Sequence, residues 1–235
     1  MPNVLTAARV IAGALAFLFR PRPPAARRAS TEPDARCDDE RGAHQEREPV
    51  AAPRVGLGFA AVPEPDAGSL LGNWNALRGE RKGVMLHYDD SSSDASGVEW
   101  LTRDPACKVS YNDLILDNGT EVSIAPRAAR AWHAGVCEPS SDAWVYDDAN
   151  SAFYGVAVAA KAGDTVSPAQ HAAVVAYCVR RFGEHGWAAD DTWRITSHDL
   201  EAAPRGRKVD VGTGLQGLTL QTVRAGVRAA LAGSA

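Results

Sequence analysis

Apolar positions fall in short runs divided by polar turns. Gly83–Tyr88 (GVMLHY) is a six-residue β-prone run that ends on a histidine and meets the polar segment Asp89–Ser96. Val98–Arg103 reads as a short helix stopping before Asp104-Pro105. Val109–Leu116 and Glu121–Ile124 flank Asp117-Asn118-Gly119, whose Asn-Gly is a strong hairpin signal. Tyr154–Ala160 (YGVAVAA) is the pattern of a strand buried on both faces. Ser167-Pro168-Ala169-Gln170 supplies an N-cap hydroxyl, a proline at the first helical position and a glutamine three residues past the cap. That is the chemistry of a capping box, and apolar residues then continue to Phe182. Ile195 belongs to another short strand, and Thr219–Leu231 is a closing helix. Strands alternating with helices predict an α/β domain with a single mixed β-sheet flanked by helices.

The pattern changes before Asn73. From Arg20 to about Gly72 the chain is rich in Pro, Ala, Arg, Asp and Glu, with Val55–Val62 its only apolar patch. Such a segment buries too little surface to offset its ordering entropy, so residues 21–72 are expected to be a disordered linker and residues 73–235 the folded domain. Residues 1–20 contain the unbroken apolar run Val10–Phe19 between Arg9 and Arg20. Ten residues match a signal-peptide core. They also match a weak anchor giving membrane association through residues 4–19, or a leader with no targeting role. They fall short of the roughly 20 needed to span a bilayer comfortably.

Composition narrows the function classes. The 235 residues are 45% hydrophobic and 23% charged, ordinary globular usage that allows a core. Net charge is −4, and it is unevenly spread: residues 1–56 hold nine Arg against seven Asp/Glu, the rest 16 Lys/Arg against 22 Asp/Glu. An acidic domain argues against nucleic acid as a partner, since that affinity rests on phosphate neutralisation. None of Cys37, Cys107, Cys137 and Cys178 stands in a CxxC pair, which argues against a cysteine zinc cluster. Cys178 lies in a helical pattern as a buried thiol, whereas Cys107 and Cys137 either pair in an oxidising compartment or stay free.

Of six histidines, His44 lies in the linker, while His171 and His185 are expected to be solvated on or after the long helix. His87 and His198 each end a short apolar run beside a polar loop, where a sheet presents side chains into a cleft. The glycine-bracketed loop Gly206–Gly212 can turn Lys208 and Asp210 toward one point. Two imidazoles and one carboxylate with an open fourth position make a catalytic zinc site, although spacing alone is weak support.

Several segments, taken in order, carry a resemblance. They are Met85–Tyr88, Val109-Ser110-Tyr111 leading into Asp117–Thr120, Ala131-Trp132-His133-Ala134-Gly135, Asn150–Val158, Ser167–Gln170, Ser197-His198-Asp199 and Gly206-Arg207-Lys208-Val209-Asp210. Together they resemble the zinc-dependent N-acetylmuramoyl-L-alanine amidases, the type-2 amidase and peptidoglycan recognition protein family, over some 130 residues from Gly83 to Gly214. The resemblance implies Zn2+ on His87, His198 and Asp210, with Lys208 and Tyr111 as catalytic groups and His133 and Trp132 in the substrate groove. It implies peptidoglycan as partner, a monomer, and cleavage between N-acetylmuramic acid and L-alanine in lysis or remodelling of the wall, as in a phage endolysin. The alternatives are a recognition module that binds peptidoglycan without cutting it and a zinc hydrolase of some other amide. Two departures bear on mechanism. Ala157 stands where many relatives carry a glutamate base, which shifts the chemistry toward Tyr111 and Lys208, and Asn112-Asp113 replaces a histidine followed by an aromatic. Val211 after the third ligand, where relatives carry proline, is a minor change.

Overall fold

The computed structural model describes residues 69–233. The expectations for residues 1–20, for the linker up to residue 68 and for Cys37 and His44 lie outside the described residues. In chain order the elements are β1 (Trp74–Ala76), β2 (Gly83–Tyr88), α1 (Asp94–Arg103), β3 (Asp113–Ile115), β4 (Glu121–Ser123) and β5 (Ala129–Ala131). There follow α2 (Ala149–Ala152), β6 (Phe153–Val158), α3 (Pro168–His185), a 3-10 turn (Ala189–Arg194), β7 (Ile195–Ser197), α4 (His198–Glu201) and α5 (Leu220–Ala232). Five strands form one mixed sheet in the order β4-β3-β6-β2-β7, in which only β4 is antiparallel to its neighbour. β1 and β5 pair as a separate antiparallel ribbon.

Strand periodicity sorts the two faces. Val84, Leu86, Tyr154, Val156 and Val158 pack on Val174, Tyr177, Cys178 and Phe182 of α3 and on Val223 and Val227 of α5. Met85 and Phe153 face the other way, into Trp144, Ala149 and Ala152, and Ala157 packs with Leu101, Leu114 and Ile124. His87, two residues after Met85, therefore lies on this second face at the C-terminal end of β2. Both faces of the central strands are covered, which explains the unbroken apolar runs.

Local chemistry moves several boundaries. α1 starts at Asp94 rather than Val98, because Ser93 and Ser96 form a capping box that apolar spacing does not register. The expected box at α3 is half made: Ser167 Oγ accepts from the Gln170 backbone N–H at 3.0 Å, but the Gln170 amide does not return to the cap. It donates instead to the carbonyls of Ile115 (3.0 Å) and Ala159 (3.1 Å), buried acceptors that need a partner. The Asn-Gly hairpin forms with Gly119 at φ 84, and a Cβ there would stand 2.9 Å from the Ala169 carbonyl oxygen. Val109–Asn112 stays outside β3, and Ser110 bonds the backbone of Asn73 and Trp132 instead. Ordered packing reaches back to Ser69, whose hydroxyl donates to the Leu101 carbonyl at 3.1 Å. No helix among the described residues is long and apolar enough to cross a membrane.

Asp113 of β3 gives the fold a pH signature. Burial, then the nearby Glu121 carboxylate, push its carboxyl up to about 6, against Arg127 at 3.4 Å. A carboxyl raised in the folded state contributes stability that is complete below about pH 4 and lost as pH rises through about 6. Asp113→Asn removes that titration. The melting temperature of the variant relative to wild type should climb by roughly 5 °C between pH 4 and 7. A difference that stays flat across that range contradicts the buried carboxyl.

Candidate metal centre and active site

Parallel pairing assembles the site. β2 and β7 are neighbours, with Leu86 opposite Ser197, so the next residues, His87 and His198, emerge side by side with ring centroids 4.9 Å apart. Asp210 arrives from the loop between α4 and α5. The Tyr88 backbone N–H donates to Asp210 Oδ1 at 2.9 Å, which turns Oδ2 toward both imidazoles. Oδ2 lies 3.6 Å from His87 Nδ1 and 3.3 Å from His198 Nδ1. One ligand atom from each residue falls within 4.8 Å of the others, and His87, His198 and Asp210 are 1, 6 and 5% exposed.

The protonation of this group suits a cation. Burial drives His87 down to about 4, outweighing the upward pull of Asp210, so the ring is neutral near pH 7. Burial alone would raise the Asp210 carboxyl, but the two imidazoles set against it, His198 and then His87, hold it below the usual carboxylate range. His198 Nε2 lies 2.8 Å from the Ala134 carbonyl, which only accepts, so Nε2 is the donor there and Nδ1 is the nitrogen turned to Asp210. A neutral His87, the His198 imidazole and an ionised carboxylate in a buried cluster fit a divalent ion that takes nitrogen and oxygen ligands.

Other groups surround the cluster. The Tyr111 ring centroid is 5.1 Å from that of His87, and Tyr111 packs in one apolar cluster with Ala157. His87 and Ala157 are register partners in the parallel ladder, so both point to the same face. A glutamate at 157 would rise beside His87; with alanine there, the tyrosine is the polar side chain at that flank. Lys208, half-buried two residues before Asp210, lies near enough for its charge to lower the proton affinity of His87 further.

His133 and Trp132 diverge. The His133 ring is 5% exposed, with Nδ1 3.0 Å from His87 Nε2 and Nε2 3.3 Å from the Phe153 carbonyl. Both of its nitrogens are engaged inside the protein, behind His87 rather than along open surface. Trp132 is half-buried and donates its indole N–H to Asn75 Oδ1 at 2.7 Å; no hydrogen bond or ring contact among the described residues links it to the histidines. Asn112 does not face the site. Its amide oxygen accepts from Gly155 N–H (3.0 Å) and its nitrogen donates to the Pro126 carbonyl (3.1 Å), a clamp between β6 and the loop before β5.

Two supports were not singled out as site residues, because a buried polar residue in a four-residue helix shows no period. Asn150 Oδ1 accepts from the backbone N–H groups of His133 (2.9 Å) and Ala134 (2.7 Å), holding the Trp-His-Ala-Gly loop. Glu201, fully buried, accepts from Ser140 N–H (3.0 Å), the Tyr146 hydroxyl (2.6 Å) and the Thr196 hydroxyl (2.8 Å). It pins the loop after Cys137 to β7 and α4. Cys137 is a free thiol near the Ala134 carbonyl, so the Cys107–Cys137 pairing is not made, and Cys178 is a buried thiol as expected. His171 meets Thr222, and the exposed His185 meets Tyr154 and stacks on Trp187, so neither joins the cluster.

Comparison with known proteins places this geometry. No curated protein matches the sequence significantly. A selenomethionine derivative of AmpD shares the fold at a TM-score of 0.54 and 21% identity, covering 68% of this chain and 92% of its own. AmpDh3 from Pseudomonas aeruginosa, solved in complex with an anhydromuramic pentapeptide, aligns at a TM-score of 0.45 and 19% identity, over 57% and 58% of the two chains. The hydrolase AmiA from Staphylococcus aureus, solved with its ligand, gives a TM-score of 0.47 and 11% identity, over 79% and 87%. Residues 78–213 match the family profile described as N-acetylmuramoyl-L-alanine amidase, and the match spans the whole cluster from His87 to Asp210. By that match, and on a mixed sheet that gathers two imidazoles and a carboxylate at its strand ends, the chain belongs to the N-acetylmuramoyl-L-alanine amidase family and is an amidase of peptidoglycan.

Proposed function

We propose that this protein is a zinc-dependent hydrolase of the amide bond between N-acetylmuramic acid and the L-alanine of the stem peptide. The observation that carries this reading is the buried His87–His198–Asp210 group, with both Nδ1 atoms set against one carboxylate oxygen. His87, His198 and Asp210 would hold the ion, which when bound acts as a Lewis acid toward water and the amide carbonyl. The chain's own groups do the rest. Lys208 meets the negative charge that develops on the carbonyl oxygen, where a cation in a partly desolvated site has its largest effect. Tyr111, with its ring against His87, orients the attacking water through its hydroxyl, in the place where a glutamate base is lacking. Trp132 keeps part of its indole open to the glycan or peptide. The setting is lysis or remodelling of the cell wall, with a phage endolysin as one form of that role.

Incubating the full-length protein with purified peptidoglycan tests the reaction. Expected products are stem peptides with new L-alanine amino termini, their release stopped by a chelator and restored by zinc. Intact stem peptides on fragmented glycan, or release indifferent to chelation, would overturn it.

A further inference from the structure

The carbonyl of Phe153 points toward His133 Nε2 at 3.3 Å, and a carbonyl can only accept. In a neutral His133 the proton therefore sits on Nε2, and Nδ1 is left with its lone pair. That Nδ1 lies 3.0 Å from His87 Nε2, so His87 must supply the proton there. His87 Nδ1, the atom facing Asp210 Oδ2, is then bare. With both rings neutral, this run of proton positions from Phe153 leaves a lone pair where an ion would be held. The opposite arrangement would put a proton on His87 Nδ1 and direct it at Asp210, blocking coordination.

The fold reserves space for this arrangement. Gly155 lies in β6 beneath the His133 ring, and a Cβ at that position would stand 2.5 Å from His133 Cγ and 2.9 Å from Nδ1. Asn150 holds the His133 backbone N–H, and the ring meets that of His87 edge-on with centroids 5.0 Å apart. The glycine in an otherwise apolar strand is thus a seat for an imidazole.

We infer that His133 is a positioning residue: it fixes the tautomer and orientation of His87, so that Nδ1 is presented toward the cation site, and Gly155 is the gap that admits its ring. Outer partners of this kind change metal affinity by roughly 10–100-fold. The inference rests on the zinc reading above, but its first test does not need activity. Nitrogen NMR of the metal-free full-length protein, labelled in histidine, reads which nitrogen of His87 carries the proton. A bare Nδ1 and protonated Nε2 are expected in wild type. In His133→Leu the Nδ1-protonated form should gain population, because only Asp210 then remains as an acceptor for that ring.

Zinc affinity, measured by competition with a chromophoric chelator, should fall about 10–100-fold in His133→Leu. His133→Asn, whose amide oxygen can accept from His87, should recover most of it. Gly155→Ala should weaken zinc in the same direction while leaving His133 in place chemically. A protonated Nδ1 on His87 in wild type would overturn the inference, as would a folded His133→Leu that keeps wild-type affinity. If the leucine variant does not fold, the wild-type NMR still decides. If peptidoglycan is not cleaved yet the tautomer and affinity results hold, the amidase chemistry fails and the positioning role stands.

Discussion

Asp210→Ala is expected to lose stoichiometric zinc and to lower amidase turnover by about a thousandfold, which corresponds to several kcal/mol of lost charge stabilisation. The expectation follows from how Asp210 is held. Its Oδ1 is fixed by the Tyr88 backbone N–H, and its Oδ2 alone lies between the two Nδ1 atoms. Removing it leaves two imidazoles with no anionic partner, a donor pair that holds a divalent ion weakly. The cost in fold stability should be smaller than the cost in metal binding. Only the Tyr88 N–H loses a partner at the sheet end, worth roughly 1–3 kcal/mol if it stays buried. Elemental analysis of the purified variant together with a melting curve separates the two effects. A folded Asp210→Ala that carries one zinc per chain would remove Asp210 from the ligand set.

Lys208→Ala should keep zinc and lower kcat by about a hundredfold, with a much smaller change in KM, since removing one donor to a developing oxyanion costs roughly 10²–10³ in kcat. Lys208 is half-buried, its charge reaches His87, and no hydrogen bond or ion pair among the described residues neutralises it. An unopposed ammonium beside a metal group is poorly explained by stability and well explained by charge that appears during the reaction. Melting temperature and zinc content should match wild type. Lys208→Arg should retain part of the rate, because charge persists while reach and geometry change. Turnover equal to wild type in Lys208→Ala would refute the role.

Much of the scaffold was legible because it rests on local rules. The run Gly83–Tyr88 is β2 residue for residue, and the Asn-Gly turn and the closing helix also form, the helix with Thr219 as its cap. His87 and His198 stood out as polar residues closing apolar runs, and the loop glycines around Lys208 and Asp210 marked a turn. Less legible were the elements whose stability comes from partners distant in sequence. Gln170 was expected to close a capping box but serves two strand-end carbonyls, since an unpaired buried carbonyl costs more than a frayed cap. Asn112 was expected to alter the site and instead ties strand to loop. His133 was expected along the substrate groove and lies behind His87.

The sequence by itself determined which residue types end the strands, and therefore which side chains can meet at one edge of a parallel sheet. Alternation and turn chemistry act over a few residues and can be read from one chain. Only the tertiary structure decided which oxygen of Asp210 faces the imidazoles, and which ring nitrogens of His198 and His133 meet the backbone carbonyls of Ala134 and Phe153. Those outcomes depend on hydrogen bonds between groups 20 to 122 positions apart, whose geometry exists only once the sheet has brought them together.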